Sequence, residues 1–155
     1  MLQQHILRML NEFIIEIKNE HWFGKEREIV SRFAFSNLVK NIGCCEQLFD
    51  PGQIAIEVRV KQIKENGKKE VCKDLVIWSQ PNQTVWSNYN VPLCIMEWKH
   101  RTKFPYEYDV DWLENYTTCY ENCFGIAINV ENESKYELKA LLVEQGRRQE
   151  RIYIF

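Results

Sequence analysis

Glu97 and Lys99 sit one residue apart near the end of Leu93–His100, "LCIMEWKH", a stretch that begins wholly apolar. In an extended strand, residues two apart project from the same face, so this carboxylate and this amine stand side by side. Trp98 points the other way, into apolar packing. Charged groups on such a strand need an explanation, because ionised side chains are rarely buried unpaired. The stretch before it, "EVCKDLVIW" over 70–78, carries Asp74. If the two strands are antiparallel neighbours, register can bring Asp74 beside Glu97. Two carboxylates together form a hard, anionic oxygen site suited to Mg²⁺ or Mn²⁺. A lysine at its rim can orient or help deprotonate a water and stabilise charge developing on a phosphate.

Holding these groups together takes several elements. Residues 2–19 place Leu2, Ile6, Leu10, Phe13, Ile14 and Ile17 at helical spacing. Beyond Gly24, residues 25–41 predict a second helix with Val30, Ala34 and Leu38 in one stripe and Phe33 beside it. Glu28 and Arg32 are four apart there and can pair. "DPGQ" at 50–53 is turn chemistry. "IAIEVRVK" alternates, so Ile54, Ile56, Val58 and Val60 are expected on one face and Glu57, Arg59 and Lys61 on the other. The Asn66-Gly67 pair predicts a hairpin from a strand over 54–63 into one over 70–78. Residues 79–90 form a polar loop with Trp86 and Tyr89, followed by a strand over 92–99.

Asp109 is expected to cap a helix over 110–123, with Val110, Leu113, Thr117, Tyr120 and Phe124 inward. Residues 124–130 read as a short strand. The tail, 134–155, suits either a helix stopped by Gly146 or a hairpin through "GRR", and the hairpin is the preferred reading. The whole, 1–155, is one α/β domain. Its first three strands form a meander, and the following helix crosses over to lay the next strand parallel to the third.

An acidic helix residue, then Asp, then Glu-x-Lys after a hairpin, then a helix and a strand, resembles the PD-(D/E)xK nuclease superfamily. The matching residues are Asp74 in "KDLVIW", Glu97 and Lys99 in "IMEWK", and Glu28 in "EREIVSRFAF", with Glu26 as a substitute for Glu28. The resemblance covers roughly 25–131. It implies a restriction endonuclease-like α-β-β-β-α-β core, a mixed central sheet flanked by helices, with an extra N-terminal helix. It further implies a Mg²⁺- or Mn²⁺-dependent nuclease cleaving nucleic acid, DNA above all. Asp74, Glu97 and Glu28 would bind the metal, and Lys99 would act on the attacking water. Lys73 stands where proline is common in that motif. The alternative is a non-catalytic nucleic-acid-binding or protein-interaction subunit on the same fold.

Other signals are weaker. Arg101 and Lys103 follow the site strand and are expected to contact phosphates, with Tyr106 and Tyr108 placed to stack on bases. Arg147, Arg148 and Arg151 read as exposed charge, and Glu57 as a solvated one. The net charge of −2 gives no global sign of a nucleic-acid binder. The six cysteines form no CxxC pair and are expected to be reduced and mostly buried, with Cys119 and Cys123 able to share a helix face. His5, His21 and His100 form no metal set. No run reaches the about 20 apolar residues that span a bilayer, and no leader pattern is present, so a cytoplasmic protein is expected. The apolar first helix could also bury against a second copy, making a homodimer. Serine-hydrolase, P-loop and dinucleotide motifs are absent.

Overall fold

The computed structural model describes residues 1–63, 69–88 and 91–155. Asn66-Gly67 and Tyr89 lie outside these. Two helices open the chain: α1 (Leu2–Asn19) and α2 (Glu26–Phe33), the latter running on through a π turn at Ala34–Leu38 and a 3-10 turn at Val39–Asn41. β1 (Ile54–Lys61), β2 (Glu70–Trp78) and β3 (Pro92–His100) follow, then α3 (Glu107–Cys119), β4 (Phe124–Asn132), β5 (Tyr136–Glu144) and β6 (Arg147–Ile154). The six strands form one sheet in chain order. Every neighbouring pair is antiparallel except β3 and β4, which α3 connects in parallel.

The sheet separates two cores. Leu2, Ile6, Met9, Leu10, Phe13, Ile14 and Ile17 of α1 are buried with α2 against one face, which includes Leu75, Met96 and Trp98. The apolar stripe of α1 is therefore used within the chain. Val110, Trp112, Leu113 and Tyr116 of α3 cover the other face, over Val76, Ile95 and Ala127. Gly125 lets α3 approach closely: a Cβ there would lie 2.7 Å from Leu113. The tail is the hairpin, turning through Gln145 and Gly146 with φ of 51° and 75°, the pairing of positive φ values that a two-residue turn between twisted strands requires. Among the described residues, no helix is long and apolar enough to cross a membrane.

Three expectations need correction. The alternation of β1 does not persist: Ile54 and Ile56 pack on the α1–α2 side, while Val58 and Val60 pack on the α3 side. The inversion falls at Glu57, whose φ of 48° lies in the left-handed region. Ladder pairs run from Ile56–Leu75 directly to Val58–Lys73, leaving Glu57 and Asp74 opposite each other without a ladder pair. Second, α3 begins at Glu107 and ends at Cys119, so Asp109 lies within its first turn and does not cap it, and Cys119 and Cys123 do not share a helix. Acidic Glu107 and Asp109 suit a helix N-terminus, which explains the earlier start. Third, of the six free thiols only Cys94 and Cys123 are buried, while Cys72 and Cys119 are exposed. Cys72 follows the inverted phase of β2, in which Lys73 turns inward.

Candidate active site

β2 and β3 part company at one point. Their ladder ends at Leu75–Met96, and the next two residues in register are Asp74 and Glu97. Each carboxylate crosses the gap to the other strand. Asp74 Oδ2 accepts the Trp98 N–H at 2.7 Å, and Glu97 Oε2 accepts the Asp74 N–H at 3.4 Å. The splayed backbone is thus satisfied by side chains instead of a ladder. Trp98, 1% exposed, is held in the α1–α2 core against Phe13 and Phe33, which fixes the opposite face for Glu97 and Lys99.

Glu97 is 5% exposed, and its other oxygen accepts from Lys73 Nζ. Lys73 is itself only 4% exposed, with its ammonium 3.6 Å from the centre of the Trp112 ring. Burial pushes the Glu97 carboxyl up to about 7, against the pull of Lys73 and with the help of Asp74. Lys99 lies 3.3 Å from Asp109 Oδ2 and 5.2 Å from the Tyr106 ring centre. Burial works against its ammonium, but Asp109 and Glu26 outweigh it and hold the pKa above the ordinary lysine value. Asp109 is raised by burial, opposed by Lys99.

The acid that α2 contributes is Glu26. Burial raises its pKa, and it feels Lys99, Asp74 and Asp109. Glu28 is engaged elsewhere: its carboxylate accepts the Lys25 N–H at 3.1 Å and so caps α2. The structure therefore brings Asp74, Glu97 and Lys99 together with Glu26, and leaves Glu28 out of the cluster. Loop anchors keep these elements in place. Asn132 joins His100 Nε2 at 2.8 Å to the Gly24 carbonyl at 3.0 Å, tying the end of β3 to the approach to α2. Asn129 Oδ1 accepts the Thr102 N–H at 3.0 Å and holds the chain leaving β3.

An open cleft of about 550 Å³ lies between α2 and the β1–β2 pair. Glu26 and Asp74 line it, with Arg27, Arg59, Glu57 and the exposed Cys72 around them. Arg27 pairs with Glu57 at 2.9 Å and Arg59 with Glu70 at 3.3 Å. Of the residues expected to touch nucleic acid, Lys103 and Tyr106 are both exposed, Tyr106 beside Lys99. Arg101, with φ of 56°, is turned onto Glu131 and Glu133, so its guanidinium is already matched by acids.

Lys73, Asp109 and the cleft cations Arg27 and Arg59 were not singled out as site residues from sequence. Lys73 carried one available signal, a charge inside a strand whose other residues are mostly apolar. Among the described residues, no three carboxylate, imidazole or thiol groups converge as a ready-made cation cage. Asp74 and Glu97 still fit a Mg²⁺-type ion, which keeps several waters and needs only one or two protein carboxylates. Asp74 Oδ1 accepts no hydrogen bond among the described residues. No protein-family model matches this chain, and no curated protein matches it.

Proposed function

We propose that this protein is a metal-dependent nuclease, a phosphodiester hydrolase acting on nucleic acid and on DNA above all, with a PD-(D/E)xK-type site on a restriction endonuclease-like core. The observation that carries this reading is the facing pair Asp74 and Glu97 at the point where β2 and β3 separate, with Lys99 on the Glu97 face. Asp74 and Glu97 would hold Mg²⁺ or Mn²⁺, with Glu26 as the α2 acid nearest them. A bound divalent ion would supply Lewis-acid charge stabilisation and a lowered water pKa. Lys99, kept protonated by Asp109 and Glu26, would orient the attacking water through its ammonium and stabilise negative charge gathering on the phosphate. Arg27 and Arg59 would meet flanking phosphates along the cleft, exchanging their carboxylate partners for them.

A second reading rests on one observation: Glu97 and Lys99 each already have a partner inside the protein, in Lys73 and Asp109. A site balanced in this way also suits a non-catalytic nucleic-acid-binding or protein-interaction subunit. Cleavage of mixed single- and double-stranded DNA and RNA with Mg²⁺ or Mn²⁺ separates the two. The nuclease reading expects cleavage that EDTA and Lys99→Ala both abolish. Cleavage unaffected by Lys99→Ala would overturn this site assignment and point to contamination or a different site, whereas nucleic-acid binding with no cleavage of any substrate would overturn the nuclease reading in favour of the second.

A further inference from the structure

We infer that Lys73 is a resident cation of this site and that the site therefore takes a single divalent ion. The inference rests on the metal-binding reading of Asp74 and Glu97. The two carboxylates offer four oxygens. Trp98 N–H occupies Asp74 Oδ2 at 2.7 Å, Lys73 Nζ occupies Glu97 Oε1, and Glu97 Oε2 holds the Asp74 N–H only at the long distance of 3.4 Å. Asp74 Oδ1 and Glu97 Oε2 are what remain for an incoming cation. That suffices for one hard ion with its waters, and leaves no second edge on Asp74 or Glu97 for another.

Lys73 cannot readily step aside. Its side chain is 4% exposed and its ammonium lies 3.6 Å from the Trp112 ring, with α3 covering it. A buried ammonium leaving both a carboxylate and an aromatic face would lose its charge-assisted bond and its cation–π contact together. Formal charge agrees. Glu26, Asp74, Glu97 and Asp109 interact with Lys73 and Lys99, leaving an excess of two negative charges, which one divalent ion balances. Lys73 thus stands where a second metal would neutralise Glu97. Its role is positional: it fixes which edge of Glu97 faces the incoming ion.

The test counts bound Mn²⁺ per chain by calorimetry, with free Mn²⁺ followed by electron paramagnetic resonance. Circular dichroism checks that each protein is folded. Wild type is expected to bind one ion. Lys73→Gln is expected to bind two, and Lys73→Arg, which keeps the cation, one. Two ions in the wild type overturn the inference while leaving the nuclease reading intact. One ion in both wild type and folded Lys73→Gln also overturns it. No ion in either overturns the metal-binding reading itself. Should Lys73→Gln fail to fold, the wild-type count alone still decides between one and two.

Discussion

Ion pairs lie on both sides of α3, and they differ in kind. On the outer side, Arg148 reaches three carboxylates, Glu107 at 2.8 Å, Asp111 at 3.0 Å and Glu114 at 2.9 Å, with its own side chain about one-third exposed. On the inner side, Lys73 has one carboxylate, Glu97, and both are almost wholly buried. The outer cluster has more partners. The inner pair has more at stake, because water cannot replace a lost partner there. Burial, more than the number of contacts, decides how strongly a charge matters.

The largest effect should come from breaking the inner pair on one side. Lys73→Met leaves Glu97 buried without its cation and is expected to cost about 3–5 kcal/mol near pH 8. The loss should shrink near pH 5, where Glu97 can take up a proton instead. Urea midpoints at the two pH values read this directly, and an equal loss at both would show that Glu97 is not the group left stranded. Lys73→Met combined with Glu97→Gln should recover most of the lost stability.

A pH series sharpens the same point. Glu97 has a folded-state pKa of about 7 against an ordinary 4.5, so between those values the folded state holds a proton that the unfolded chain releases. Stability contributed by this group is therefore full below about pH 4.5 and falls as pH rises towards 7. Relative to Glu97→Gln, the wild type should lose on the order of 1–3 kcal/mol across that window. Parallel unfolding curves for the two proteins would contradict this.

The next effect is on the proposed nuclease activity. Glu26→Gln should lower cleavage by roughly 10-fold, the scale for groups that support a metal site. Glu28→Gln should leave the cleavage rate near that of wild type and reduce only helix stability, by about 1 kcal/mol or less. Rates and melting temperatures measured side by side would separate the two acids, and the reverse pattern would return the site role to Glu28. Smallest of all, Arg148→Ala should cost below about 1 kcal/mol despite its three partners, and less still in high salt. A loss as large as that of Lys73→Met would break the comparison.

Periodicity made much of this legible. The stripe of α1 and the strands follow from patterns that repeat over many residues, and the parallel entry of β4 from the helix that crosses over before it; the tail suited a helix or a hairpin, with the hairpin preferred. The opposed faces of Trp98 and Glu97–Lys99 follow from strand geometry alone. What escaped lies where a pattern breaks without a marker. Glu57 adopts a positive φ with no glycine to signal it, so the inward turn of Lys73 and the exposure of Cys72 could not be read from alternation. The choice between Glu26 and Glu28 turned on a cap bond to the Lys25 N–H, a contact of a few residues that helical spacing does not resolve. Asp109 suited a helix cap equally well in sequence, and only the fold shows Lys99 opposite it.

The most direct measurement is anomalous diffraction from crystals of the protein soaked in Mn²⁺. The account predicts an anomalous peak bound by carboxylate oxygens of both Asp74 and Glu97, lost in crystals of Asp74→Asn. Peaks only at other surface carboxylates, with the Asp74–Glu97 pair bare at saturating Mn²⁺, would contradict it.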